Sequence, residues 1–449
     1  MVKPTVTILL AAILALVTLP CSVSADAGEN GEPGLLQRLP GRYGGHLKIR
    51  GSVAWPGGDS HYSLVGAEAM VDGAAEFRLK AEYEATDDIS FTAHYENIFS
   101  AGDTRRRNKA LNRRFPALSA TGVTTSAQPD DDRRLFDLTA TLDDAPGHVW
   151  YHRMDRLYAA YTTFTLDVRA GRQAVTWGNG LVFNPMDLFN PFAPTDVERD
   201  YKNGDDMLSV QYSPSRGNVH LLYVPRRNPA DGNPSRDHSS LAAKYHVMSG
   251  DHELDFMVGR HYRDMVAGFG VTGYLGAAAW RMDVVGVLLE PDDGRRLPID
   301  DKGSYVSAVA NIDYSWVWAG KNWYGLLEVY HNGLMDNEYA EDSATRAVRE
   351  RLDRGQLHTL GNTYAAGTVR FEAHPLVNLH LAAITNLADP SGILQPRMVY
   401  DVRQNTRIVA GANVYWGRDG SEFGGYSIPG TNLYASPADN VYVWATRYF

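Results

Sequence analysis

From His46 to Trp55 apolar and polar residues alternate: Leu47, Ile49, Val53 and Trp55 fall on one parity, His46, Lys48, Arg50 and Ser52 on the other. Ala75–Glu84 repeats the pattern, with Ala75, Phe77, Leu79, Ala81 and Tyr83 against Glu76, Arg78, Lys80, Glu82 and Glu84. Ile89–Glu96 does so again, setting Ile89, Phe91, Ala93 and Tyr95 against Ser90, Thr92, His94 and Glu96. Successive side chains on a strand point to opposite faces, so each segment predicts a strand with one apolar and one polar wall. A soluble sandwich turns the apolar wall inward, whereas a membrane barrel turns it to lipid and the charged wall to the lumen. Alternation by itself does not choose between them.

Three further features do. A tilted membrane strand needs about 9–11 residues, against about 5–6 in soluble sheets, and these segments meet the longer requirement. Tight connections (Thr86-Asp87-Asp88, Ser213–Asn218, Met248–Asp251, Gly320-Lys321) alternate with long polar ones, as short periplasmic turns and long external loops do in bacterial barrels. Aromatic residues sit near strand ends, at Trp55, Tyr95, Trp316, Trp318, Trp323, Tyr415, Trp416 and Trp444, as interfacial girdles require. The expected fold is all-β, a transmembrane antiparallel β-barrel. Its strands are placed near 44–56, 74–86, 88–100, 154–163, 164–178, 205–214, 217–226, 238–249, 251–263, 265–275, 277–290, 304–318, 321–333, 362–374, 376–389, 394–404, 405–417 and 438–449. That is about 18 strands, an even number that puts both ends in the periplasm. The count treats 101–153 as one external excursion; Leu135–Thr141 alternates within it and pairs as an extra hairpin in a second reading, so the range is about 16–20.

The N-terminus sets the compartment. Lys3, the apolar run Val6–Leu19, the breaker Pro20 and Val23-Ser24-Ala25 before Asp26 have the form of a cleaved export signal over 1–25. A retained anchor, or a lipoprotein at Cys21, are the alternatives. Residues 26–43 are then a short periplasmic segment, too short for a plug domain, and 44–449 the barrel. Cys21 is the one cysteine, so the mature chain has neither a disulfide nor a thiolate metal site. Mean hydropathy of −0.32 fits strands apolar on one face only. A net charge of −10 argues against nucleic acid, which needs a basic footprint. On the last strand Val441, Val443, Ala445 and Phe449 alternate, with Arg447 as a departure. This resembles the C-terminal signal by which outer-membrane barrels engage their insertion machinery.

The most distinctive local sequence is Gly171-Arg172-Gln173-Ala174-Val175-Thr176-Trp177-Gly178 and the run to Pro194. Asp167 and Arg169 share the polar parity, so an unbroken strand would turn Arg172 to lipid, at about 2–4 kcal/mol at the midplane. A bulge at Gly171 is expected to return Arg172 to the lumen and leave Trp177 in a girdle; placing Arg172 near an interface is the alternative. In the following loop, 179–204, apolar side chains are interleaved with Asn-Pro turns. An exposed run of this kind needs something to pack on. We expect a constriction folded into the lumen, carried by Phe183, Asn184, Met186, Asp187, Phe189, Asn190 and Phe192. A lid on the rim, or a partner contact, is the alternative. Lumen charges are expected at Asp167, Arg169, Arg172, Glu76, Arg78 and Lys80 among others, either forming a transverse field or simply pairing across neighbouring strands. Inward histidines on separate strands offer no metal-ligand spacing, and no metal, cofactor or catalytic constellation is expected. Asp130-Asp131-Asp132 and Asp292-Asp293 bind calcium or are merely solvated. Glu338–Arg354 has the composition of a short surface helix. Arg105-Arg106-Arg107 and Arg113-Arg114 contact lipopolysaccharide phosphates or form a solvated basic patch.

Gly171-Arg172-Gln173 and Trp177-Gly178, followed by the Asn-Pro-rich loop, resemble porin-like proteobacterial outer-membrane proteins. The architecture is similar to the 18-strand substrate-specific porins and alginate-export-type barrels. The resemblance implies an outer-membrane barrel engaged in transport, set among lipid and lipopolysaccharide, and leaves solute and oligomeric state open. A channel for small polar or amphiphilic solutes is the leading expectation. A barrel of an export or envelope-transport system with periplasmic partners comes second, and an outer-membrane enzyme third.

Overall fold

The computed structural model describes residues 40–66, 68–115, 130–189, 191–196, 201–290, 302–337, 346–428 and 431–449. Its strands are β1 (Arg42–Trp55), β2 (Met70–Glu84), β3 (Ile89–Gly102), β4 (Thr139–Ala145), β5 (His148–Thr162), β6 (Leu166–Gln173), β7 (Asp205–Tyr212), β8 (Asn218–Val224), β9 (Ser240–Ser249), β10 (His252–His261), β11 (Asp264–Leu275), β12 (Ala278–Leu288), β13 (Ser304–Trp318), β14 (Lys321–Asn332), β15 (Thr363–His374), β16 (Val377–Asn386), β17 (Ser391–Arg403), β18 (Thr406–Trp416), β19 (Tyr426–Ser427), β20 (Tyr434–Ala435) and β21 (Asp439–Tyr448). Helices α1 (Asp103–Arg114) and α2 (Arg346–Asp353) lie in connections. The export signal and most of the 26–43 segment fall outside the described residues, as do Asp292-Asp293.

Eighteen strands close into one antiparallel barrel. β3 pairs directly with β5, β18 with β21, and β1 seals the ring against β21 from His46↔Tyr448 to Trp55↔Asp439. At one end the connections are tight. Between β13 and β14 only Ala319 (φ 51°) and Gly320 (φ 70°) intervene, the two left-handed residues of a twist-matched hairpin. At the other end lie most of the long connections. By the rule for bacterial barrels the tight end is periplasmic.

Each face of the wall follows from parity. Phe77, Phe91, Leu221, Leu241, Phe256, Leu327, Leu379 and Val441 stand exposed on the outside, the band a bilayer covers. Tyr314, Trp316, Trp323 and Phe371 stack along the outside at the tight end, with centroids 6.1, 6.1 and 4.4 Å apart. Of the strand-end aromatics expected in a girdle, Trp444 and Tyr415 are elsewhere. Trp444 pairs in register with Arg50, is buried, and lies 4.8 Å under the Lys48 ammonium on the lumen side. Tyr415 packs inward against Phe423 in a buried aromatic cluster.

The wall between β5 and β8 is repaired from outside the meander. β6 stops at Gln173, five residues short of its expected end, and β7 resumes only at Asp205. β4 therefore takes the upper edge of β5, from Thr139↔Arg153 to Ala145↔His148. The segment before β4 then crosses to β8, with Arg227 Nη2 donating to the Asp131 carbonyl (3.0 Å) and Arg227 N to the Arg133 carbonyl (2.9 Å). The expected bulge at Gly171 does not appear in the register, which runs unshifted from Leu166↔Tyr212 to Gln173↔Asp205. Gly171 is left-handed (φ 127°), and a Cβ there would meet the Leu157 carbonyl at 2.2 Å. Arg172 thus keeps the parity opposite to Arg169. It reaches neither lipid nor lumen, because its guanidinium is buried between Asp206 (3.0 Å) and Asp131 (3.0 Å) and donates to the Phe136 carbonyl (2.7 Å). Burial opposes the charge on Asp131, but Arg134 and Arg172 outweigh it and hold this carboxyl down at about 2. Asp131 is committed to arginines, and among the described residues no group of acidic and histidine side chains has the geometry to hold a metal ion.

Candidate functional site

The connection from Gln173 to Asp205 leaves the wall and runs over inward-facing side chains around much of the ring. Gly178 turns it (φ 90°); a Cβ there would lie 2.2 Å from Asn184 Oδ1. Trp177 is buried against β8, its Nε1 donating to His220 Nδ1 (3.0 Å), and meets Phe189 edge-on at 5.4 Å. The sequence places this tryptophan in the girdle through a bulge at Gly171 on a strand continuing to Gly178. The chain has already left the strand there.

The outgoing limb then binds carboxylates on successive strands. Asn179 donates from its backbone N (2.6 Å) and Nδ2 (2.8 Å) to Asp283 on β12. Glu328 on β14 accepts from the backbone N–H of Leu181 (2.8 Å), Val182 (3.1 Å) and Phe183 (2.6 Å), and from Asn311 Nδ2 (3.2 Å). A buried carboxylate satisfied by three consecutive amides is a strong, directional anchor. Phe183 stacks on Tyr330 (4.6 Å, 7°) and Tyr364 (5.3 Å). Asn184 closes the limb by donating to the Trp177 carbonyl (2.9 Å). β11 makes room for it: a Cβ on Gly270 would come within 2.7 Å of Asn179 Nδ2, and one on Gly268 within 3.4 Å of Met186 Cε. Strand glycines mark close approach of another segment, and at Gly270 that segment is the loop folded inward over β11.

Met186 and Phe189 bury in an apolar cluster with Met207, Leu222, Met257 and Val285. Asp187 is buried and bonded to Lys202 on the returning limb, and burial pushes its carboxyl up to about 6 against the pull of that ammonium. Phe192 is partly exposed, 5.6 Å from Lys202 Nζ. Asn190 lies outside the described residues. Thr195 accepts from Gln395 on β17 (2.9 Å). A cavity of about 110 Å³ remains between this loop and the wall, lined by Phe183, Asp187, Phe192, His261, Tyr305 and Tyr330 among others.

The return is anchored on charge. Tyr201 lies 4.2 Å from the Arg78 guanidinium and 4.6 Å from the Lys80 ammonium, which also donates to its hydroxyl (3.0 Å). Arg156 donates to the Lys202 carbonyl (2.7 Å), Arg153 to Asn203 Oδ1 (3.0 Å), and Gly204 N to Asp155 (3.2 Å). Beneath them the buried Arg78 pairs with the buried Glu96 and Asp155 (2.6 Å), and the half-buried Arg153 pairs with Glu96 (2.5 Å). Of the other expected lumen charges, Glu76 pairs with His46 (3.1 Å) and Asp167 with Arg169 (2.8 Å). Tyr201, Lys202 and His220 were missed from the sequence, where each is an isolated residue without a motif.

No protein-family model and no curated protein matches the sequence. Among solved structures, OccAB2 of Acinetobacter baumannii superposes with a TM-score of 0.50 at 10% identity, covering 91% of this chain and 98% of that one. OccAB3 of the same organism gives 0.50 at 9%, covering 91% and 99%. A BenF-like porin from Pseudomonas fluorescens Pf-5 gives 0.48 at 9%, covering 91% and 98%. At such identities the likeness shows the fold alone: this chain is built as a closed 18-strand antiparallel β-barrel, the fold of bacterial outer-membrane porins.

Proposed function

We propose that this chain is a passive outer-membrane channel for small polar or amphiphilic solutes, with the 174–204 connection as its constriction. One observation carries the reading: a single loop is bonded to inward-facing groups on opposite arcs of the wall, Glu328 on β14 at one side and Arg78 and Lys80 on β2 at the other. A segment held that way narrows the opening between them. Its carboxylate, ammonium and aromatic groups set the chemistry a passing solute meets. Single-channel recording in planar bilayers tests it. Wild-type protein is expected to conduct, and deletion of 181–193 to raise the conductance while the barrel stays folded. Silence from both proteins would rule out a passive channel and favour a barrel serving a periplasmic export partner.

Asp187 makes the constriction acid-sensitive. Its ionised form holds Lys202, and it takes a proton near pH 6, where an exposed aspartate is still charged. Gating noise is therefore expected to rise as pH falls from about 7 to 5, and Asp187→Asn to show that noise at every pH. A pH-independent trace from wild type would refute the latch.

A further inference from the structure

We propose that α1 is a docking surface for the phosphorylated headgroups of outer-leaflet lipid. The inference rests on the outer-membrane reading of the barrel, but on a site apart from the constriction. Six of the helix's twelve residues are cationic (Arg105, Arg106, Arg107, Lys109, Arg113 and Arg114), and one, Asp103, is acidic. In a chain of net charge −10 this density is local and does not follow from composition.

Half of these cations fasten the helix in place. Arg105 donates to Asp144 (2.6 Å) and to the His148 carbonyl (3.1 Å), Lys109 bonds the same Asp144, and Arg107 donates to the Val65 carbonyl. On the packed side Leu111 is fully buried, and Asn108 accepts from Tyr62 Oη (2.9 Å). The remaining three, Arg106, Arg113 and Arg114, are exposed; Arg106 and Arg113 share the face turned away from that packing, and Arg114 stands over the Phe115 ring at its flank. Arg106 meets Asp103 at 3.1 Å; Arg113 and Arg114 have no carboxylate partner among the described residues.

Position supplies the partner. The edge of α1 that holds Asp144 rests on the first residues of β5. There His148 lies 5.6 Å from Phe99, and Phe99, Trp150 and Trp55 stand exposed on the outside of the barrel. Outward aromatic residues at strand ends mark the depth of the lipid headgroups. A helix whose first turn is fastened at that depth, on the long-loop end, and which exposes three arginines, matches doubly phosphorylated lipid in charge. Arginine is well suited to it, since its planar fork grips phosphate bidentately.

The test is native mass spectrometry of the full-length barrel in detergent, titrated with bis-phosphorylated lipid A. Wild type is expected to retain it. The triple variant Arg106→Ala, Arg113→Ala, Arg114→Ala is expected to bind about 100-fold more weakly, from three basic groups near a charged surface. Dephosphorylated lipid A should bind wild type no better than lipid A binds the triple variant. Arg236→Ala, in the loop after β8, should change nothing. Wild-type conductance and an unchanged heat-shift on gels would confirm that the variant is folded, separating this inference from the channel reading. Equal retention by wild type and triple variant overturns the proposal. So does full displacement of lipid A by millimolar inorganic phosphate, which would make this a site for the free ion.

Discussion

Glu328→Ala is expected to release the outgoing limb of the lumen loop and raise single-channel conductance with conspicuous open-state noise. Three consecutive amides lose their acceptor at once, and Asn311 Nδ2 keeps only its bond to the Asn179 carbonyl (3.2 Å). Each buried donor left unpaired costs about 1–3 kcal/mol. Together they match or exceed the roughly 1.5–3 kcal/mol from burying Phe183, while Asn179 keeps its bonds to Asp283 at the start of the limb. The balance tips toward detachment. Glu328→Gln keeps a carbonyl oxygen for one or two of the amides and should fall between. Recordings from Glu328→Ala that match wild type in conductance and noise would show that this carboxylate does not hold the loop.

The largest stability effect is expected at Arg78. Methionine there leaves Glu96 and Asp155 buried without their shared guanidinium, and removes the cation on which Tyr201 rests. Breaking a buried ion pair from one side costs about 3–5 kcal/mol; Arg153 and Arg156 remain beside the two carboxylates, so the lower end applies. The heat-modification midpoint in detergent should drop clearly. Arg78→Lys, which keeps a cation beside Glu96 and Asp155, should lose clearly less than Arg78→Met, because the loss comes from stranded charge rather than from a cavity. A drop in Arg78→Lys as large as in Arg78→Met would mean that shape, through Tyr201, carries the cost instead.

How much of this was legible beforehand depended on the kind of physics involved. Strand placement follows from a period of two imposed on every residue by the wall, so Leu47 through Trp55 announce themselves, and the ring of 18 came within a few residues of its ends. Parity stops being informative where the chain quits the wall. The bulge expected at Gly171 would turn Trp177 outward on a strand running to Gly178, yet the register is unshifted and β6 ends at Gln173. Arg172 shows a related limit. Its parity does point away from the lumen, as the unbroken pattern says, and the penalty that suggested a bulge is removed by Asp131, which lies 41 residues away in sequence. A partner that distant leaves no local trace. The loop's inward path was suggested by its exposed apolar run, but its anchors were not. Glu328 looks in sequence like any other lumen carboxylate, and Gly268 and Gly270 acquire meaning only once Asn179 and Met186 are seen against them.

The repaired wall has a consequence for redesign. A connection drawn into the pore opens a lateral window between β5 and β8, and the barrel glazes it with residues contributed by a different external excursion, fastened at Arg172 and Asp206. Pore width and side-wall integrity therefore answer to different stretches of chain. On the proposed reading, shortening 181–193 should widen the pore and leave the glazing in place. Trimming 130–145 would leave the pore no wider and open the lumen sideways to the bilayer, a route for greasy molecules to pass between channel and membrane without crossing its mouth.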